Sequence, residues 1–571
     1  MFRIIFLIPF VIFVVGCSDS SDPASDNNST DIATSVESVD SNVSIDGNNT
    51  SELDSVIEDI EIVLDENLTF VDENLTFIDE NLTSIEEVNI SIVVNEVNTS
   101  NIIEVSDNIV LPQMTDEKLS TYTRTVQTKI AQKILSTLYK GMNVNEIDKL
   151  LDSGTFISHI KDKINNRKLD PSEMDDVVTK VKSHYFRNRA LQEPLAMIAY
   201  IPLSKDYINL ITAYRLMQSI LYSGAYELDT VGQDEVINLF EMLFSGLKEG
   251  KTIEEIVYDY LDSLAIALRF PASENRTREI MEIFLMIFND LLAEEDQLVP
   301  ITSKLCQNYQ INNSTKKLVI DPFYENTETL TLFGKQVRTC DDFHKAVVDH
   351  PDLTKVQIIR LVDVFFPNSS LEQKDLVIDK ILESNPEGYQ YIIKQIIFSD
   401  EYLLRTDNYK SIEETAFPFA GITDFTFYKN FFYYFEDKFR YMGQRTNTYK
   451  LGRSNSTPID PRNFQIHRNT NRDMLVRDTL SNQLNENDGG WGIDFLNSLD
   501  NSSERAFVND ISRNFTGGVL SDLEFEIMEF QLGDKLDIST ISYKTKLIKI
   551  VLDYLLYMKT DYYQFEKLGE E

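Results

Sequence analysis

Cysteine, tryptophan and histidine are scarce in this 571-residue chain, at 3, 1 and 5 residues. Three cysteines, Cys17, Cys306 and Cys340, exclude both a zinc-finger ligand set and a dense disulfide framework. The histidines, His159, His184, His344, His350 and His467, are scattered, and none has the spacing of a metal-ligand pair; each is expected as an isolated surface or cap residue. Lys and Arg are absent between residues 18 and 112, a stretch that holds 23 Asp and Glu and so more than half of the net charge of -40. From Gln113 onward the balance is mild, 70 acidic against 52 basic residues, with no basic stripe. Phosphate backbones need clustered cations and the acidic stretch repels polyanions, which excludes nucleic acid as a partner. Gly246 to Thr252 superficially resembles a phosphate loop, but it is one residue short and follows a helical pattern where a strand is required. No nucleotide and no other cofactor is expected.

The N-terminus supplies what the composition does not. Met1-Phe2-Arg3 and the apolar run Ile4 to Val15 have the basic head and apolar middle of a secretory signal. The run is about a dozen residues, short of the roughly 20 that a bilayer core requires. It stops at Val14-Val15-Gly16-Cys17, which resembles the bacterial lipobox, so residues 1–16 read as a lipoprotein signal peptide and Cys17 as the lipidated residue. Two or three acyl chains hold a protein stably to a membrane, because each buried methylene contributes about 0.8 kcal/mol. In the sorting pattern this resembles, Ser18 directs the protein to the outer membrane, so the expected location is the cell envelope.

Residues 17–112 are rich in Ser, Asp, Asn and Thr, the composition of a disordered acidic linker. Within it Asp65-Glu66-Asn67-Leu68-Thr69-Phe70-Val71 recurs at Asp72 and Asp79. Leu68, Val71, Leu75, Ile78, Leu82 and Ile85 could form a short coiled-coil seam. Each repeat, however, brings two acids and no base, and Asn and Thr are poor helix formers. A spacer is the better reading; as a flexible coil it would span on the order of 55 Å.

From about Asp116 the apolar residues recur with a 3.6-residue period almost to the C-terminus, which predicts an all-α, multi-helix bundle-like body. Asp170-Pro171-Ser172-Glu173 offers an N-cap, a proline at the first helical position and an acid at the third. Thr252 to Glu255 reads as a capping box. Helical stretches are predicted at Tyr207 to Tyr222, Val236 to Leu247, Ile256 to Leu268, Ile280 to Leu292, Val356 to Phe365 and Leu547 to Met558. Lys317 to Ile320 and Leu330 to Phe333 suggest no more than a small hairpin. A body of this length exceeds the usual single-core limit, so two packed helical subdomains are expected, residues 113–300 and 301–571, where periodicity lapses between Glu294 and Asn326.

The most specific local motif runs from Ser273 through Glu274-Asn275-Arg276-Thr277-Arg278-Glu279-Ile280-Met281-Glu282-Ile283-Phe284. It resembles the signature of domain-of-unknown-function family 1800, a group of secreted or envelope bacterial proteins. Tyr260-Leu261-Asp262, Leu332-Phe333-Gly334 and Met442-Gly443-Gln444 resemble further family stretches, so the similarity spans roughly residues 180 to 445. The family's His-Asp pair is replaced here at Glu325 and Asn326, and Gly490-Trp491 is all that corresponds to its later Gly-Trp segment. Members are often encoded beside a secreted family resembling sulfatases, which implies an exported partner.

Arg278 lies one turn from both Glu274 and Glu282, and Glu279 four residues after Asn275. One reading is a buried ion-pair network that fixes helix packing, since buried charges are costly unpaired. The other makes Glu274, Asn275, Arg278, Glu279 and Glu282 a polar pocket. Cys306 and Cys340 could form a disulfide or remain buried thiols. The aromatic cluster from Phe425 to Tyr441 reads as core. Two functions follow: a membrane-tethered helical scaffold that binds an exported protein or a surface polymer, or a hydrolase acting on envelope polymers through the Glu/Arg pocket.

Overall fold

The computed structural model describes residues 111–221, 229–285, 292–312, 314–315, 317–441, 461–475, 490–532, 538, 540–559 and 562–569. The signal-like run, Cys17 and the heptapeptide repeats lie outside the described residues. Of these residues, 24 α-helices and two small antiparallel hairpins make up the regular structure, which is the all-α architecture expected from the periodicity. Among the described residues no helix is long and apolar enough to cross a membrane.

The capping signals were reliable because they act within one turn. Asp170 accepts from the Glu173 amide while Glu173 accepts from the Asp170 amide, and Pro171 opens the helix Pro171–Lys182. Thr252 and Glu255 do the same for Ile253–Leu261. The stretch expected as one helix from Ile256 is instead two, Ile253–Leu261 and Leu264–Arg269, because Asp262 caps the first and Ser263 starts the second. Lys317–Ile320 pairs with Tyr309–Asn312, and Leu330–Leu332 with Lys335–Val337. The second hairpin turns on Phe333 and Gly334, both at positive φ, the backbone a two-residue type I′ turn requires.

Lys205–Ser219 is the central helix. Every residue from Asp206 to Gln218 is buried, the pattern of a helix packed on all sides. Around it lie Phe156–Asn166, Arg189–Tyr200, Asp229–Glu249, Leu353–Phe365 and Tyr389–Ile397. Residues 102–571 form one compact unit. Residue 300, where a division was expected, is Pro300 inside the helix Leu292–Cys306. Helices from either side of it touch directly: Arg124–Thr137 packs on Ile412–Ile422.

Candidate functional site

The polar motif falls on the helix Ser273–Leu285, but the helix turns a different cation inward from the one expected. Arg276 shares the stripe of Ile280, Ile283 and Phe284, at i+4, i+7 and i+8, and is buried with them. Glu274 and Asn275 are exposed, and Arg278, Glu279 and Glu282 are half-buried. Arg278 does reach Glu274, at 3.4 Å, but a solvent-facing pair of this kind contributes only about 0–1 kcal/mol. None of the five line the cleft or the cavities described below. The buried network that does exist is built by Arg276 and Thr277. One Arg276 nitrogen, Nη2, donates to the carbonyls of Cys306 at 3.0 Å and Tyr309 at 3.3 Å, and Thr302 donates to Thr277 at 3.0 Å. Burial lowers the Arg276 pKa to about 10. Cys306 and Cys340 are joined as a disulfide.

Three histidines expected at the surface are buried: His184, His344 and His467. Desolvation is the leading cause that lowers His344 and His467 to about 3, and His467 is held by the Thr415 hydroxyl at 2.7 Å. Single histidines carry no periodic signal of their own, so their burial shows only once neighbouring helices are placed.

Volume separates the candidate sites. A cavity of about 90 Å³ beside Arg215, Glu413 and Glu414 has room for a few waters. Its charges are structural: Arg215 lies between the rings of Tyr139 and Phe365, at 4.6 and 4.9 Å, and donates to the Thr137 carbonyl at the end of Arg124–Thr137. A groove of about 860 Å³ is lined by Glu372, Asp375, Asp379 and Glu401 with Arg405 and Lys567, an open charged surface. A third opening, about 760 Å³, lies in the range that small-molecule sites occupy and combines aromatic walls with buried polar groups.

This cleft forms where four helices end. Tyr139 and Lys140 follow Arg124–Thr137; Ser183 and His184 follow Pro171–Lys182; Ala199 and Tyr200 close Arg189–Tyr200; and Gly421 and Asp424 end Ile412–Ile422. The first and last terminate alike. The amides of Tyr139 and Lys140 donate back to Ser136 and Leu135, and that of Phe425 to Ala420, the closing bonds of a Schellman-type end. Such ends usually place glycine at the left-handed position; here Tyr139 and Asp424 occupy it, with φ of 53° and 49°. The two helices meet backbone to backbone: a Cβ on Gly141 would lie 2.0 Å from the Pro418 carbonyl oxygen.

Helix C-termini carry partial negative charge and unpaired carbonyls. Lys140 answers one of them, its amine donating to Ile198 at 2.6 Å and Ala199 at 3.3 Å. His184 Nδ1 lies 3.3 Å from the Lys429 carbonyl, which can only accept. Its Nε2 therefore accepts from the Tyr200 hydroxyl, 2.6 Å away. Desolvation lowers the pKa of His184 and raises that of Tyr200, so both are neutral near pH 7. Phe425 and Phe427 from the aromatic cluster line the cleft, while Phe431, Phe432 and Phe435 are buried behind them. The cluster is therefore core on one side and cleft wall on the other; the side chains of Phe439 and Tyr441 lie outside the described residues. No protein-family model matches this chain, and neither do any of the curated proteins or solved structures it was compared with.

Proposed function

We propose that this chain is a lipid-tethered envelope protein, of the kind implied by its resemblance to family 1800, and that it binds a neutral surface glycan in the cleft. The observation that carries the reading is the convergence of four helix C-termini on an aromatic-walled cleft of ligand size. Sugars present apolar C–H faces that stack on aromatic rings such as Phe427 and Tyr200. Their hydroxyls are donors, which suits backbone carbonyls gathered at helix ends. A concave cleft also suits a polymer strand better than the flat surface of a folded protein partner.

Calorimetric titration of the full chain with neutral and uronic-acid glycans tests this. A neutral glycan should bind, and Phe427→Ala should weaken it about tenfold, the equivalent of ~1.4 kcal/mol, with helical circular dichroism unchanged. Binding that Phe427→Ala leaves untouched, or that prefers the acidic glycans, would sink the proposal. The tether is tested separately: Cys17→Ser should abolish palmitate labelling and release the protein from membranes.

A further inference from the structure

Among the described residues Arg276 is a buried cation with no ion-pair partner. Among the described residues its only hydrogen bonds are to two carbonyls, and its Nη1 has no partner. A buried charge left unpaired is costly. Next to it lies the Cys306–Cys340 disulfide, which is uncharged. His344 follows Cys340 by four residues, one turn along the helix Cys340–Val348, and is buried with it. Its Nε2 lies 3.5 Å from Cys340 Sγ, and its Nδ1 also lacks a partner. The two sulfur atoms and an imidazole nitrogen lie within 4.8 Å of one another. Two unpartnered polar atoms around one disulfide indicate surroundings suited to a different charge state of the sulfurs.

We propose that the reduced chain binds a single cuprous ion through Cys306, Cys340 and His344. The disulfide is opened by a dithiol, which supplies two electrons and two protons and is itself oxidised to a disulfide. Both thiols then lose their protons to solvent as the metal–sulfur bonds form. Soft thiolate donors select Cu(I) or Zn(II). Charge decides between them. Two thiolates and Cu(I) carry one net negative charge, which the Arg276 guanidinium neutralises. With Zn(II) the ligand set would be neutral and the arginine would remain unpaired. Three donors in a dry interior also leave Zn(II) short of the four ligands it ordinarily takes.

The test uses the full chain reduced with a phosphine, desalted under nitrogen and titrated with Cu(I) against a chromophoric cuprous chelator; alkylation and mass measurement confirm free thiols at Cys306 and Cys340. One equivalent should be withdrawn by the reduced chain and none by the oxidised chain. His344→Gln and Arg276→Met should each weaken retention about tenfold or more, with helical circular dichroism retained. Failure of the folded, reduced chain to withdraw Cu(I) would overturn the assignment. So would loss of helical structure on reduction, tighter retention of Zn(II) than Cu(I), or undiminished binding in His344→Gln.

Discussion

Among the described residues Lys133 is one of two lysines, with Lys140, whose ionisation costs the fold most. It is buried, donating to the Thr406 carbonyl and hydroxyl at 2.9 and 2.8 Å, and desolvation is the main reason its pKa falls from 10.5 to about 7. Between those values the unfolded chain binds more protons than the folded one, so stability rises with pH across that window. His344 and His467, lowered from 6.5 to about 3, act in the same sense at lower pH: stability falls as pH drops from 6.5 towards 3. Urea midpoints should therefore climb from pH 4 to 6 and again from pH 7 to 9; because burial lowers Lys140 to about 7 as well, Lys133→Met should leave the first rise unchanged and reduce the second without removing it. The two left-handed residues at the cleft separate strain from packing. Asp424 is exposed, so Asp424→Gly should stabilise by about 1 kcal/mol through relief of the αL conformation. Tyr139→Gly gains the same relief but removes a buried ring on which Arg215 rests, and should destabilise by ~2 kcal/mol or more. Denaturant melts of the two variants should move in opposite directions.

At the scale of elements, local signals were legible and distant ones were not. A capping box is complete within four residues, so Asp170 and Thr252 marked their helices correctly, and Asp170→Ala should cost about 1 kcal/mol in a urea melt. The burial of Arg276 is legible in its spacing to Ile280, Ile283 and Phe284, whereas the acid-and-base pattern of the same helix points to Arg278, which is only half-buried. The disulfide was one of two readings open for Cys306 and Cys340, and nothing local decides between them. Its half-cystines end one helix and begin another, 34 residues apart, enclosing both hairpins. Closing a loop of that length should contribute ~3–4 kcal/mol in the chain-entropy account. The double variant Cys306→Ala, Cys340→Ala should lower the melting temperature accordingly, and an unchanged melt would mean that packing alone holds the hairpins.

For the whole molecule, composition and periodicity were enough to give the fold class, because about three residues in seven facing inward is all that a helical body needs. The cleft was not legible. Its walls come from positions near 140, 184, 200 and 424, each an ordinary helix end in isolation, and they meet only once Arg124–Thr137 packs on Ile412–Ile422 and Pro171–Lys182 on Arg189–Tyr200. The contact that fixes their separation is Gly141 on the last helical turns of Ile412–Ile422, where a Cβ on Gly421 would come 2.8 Å from the Gly141 amide. Two hydrogens in place of methyl groups thus act as the gauge that sets the aperture. Any residue larger than glycine at either position would wedge the helix ends apart, so the width of the opening is written in the least conspicuous side chains this protein has.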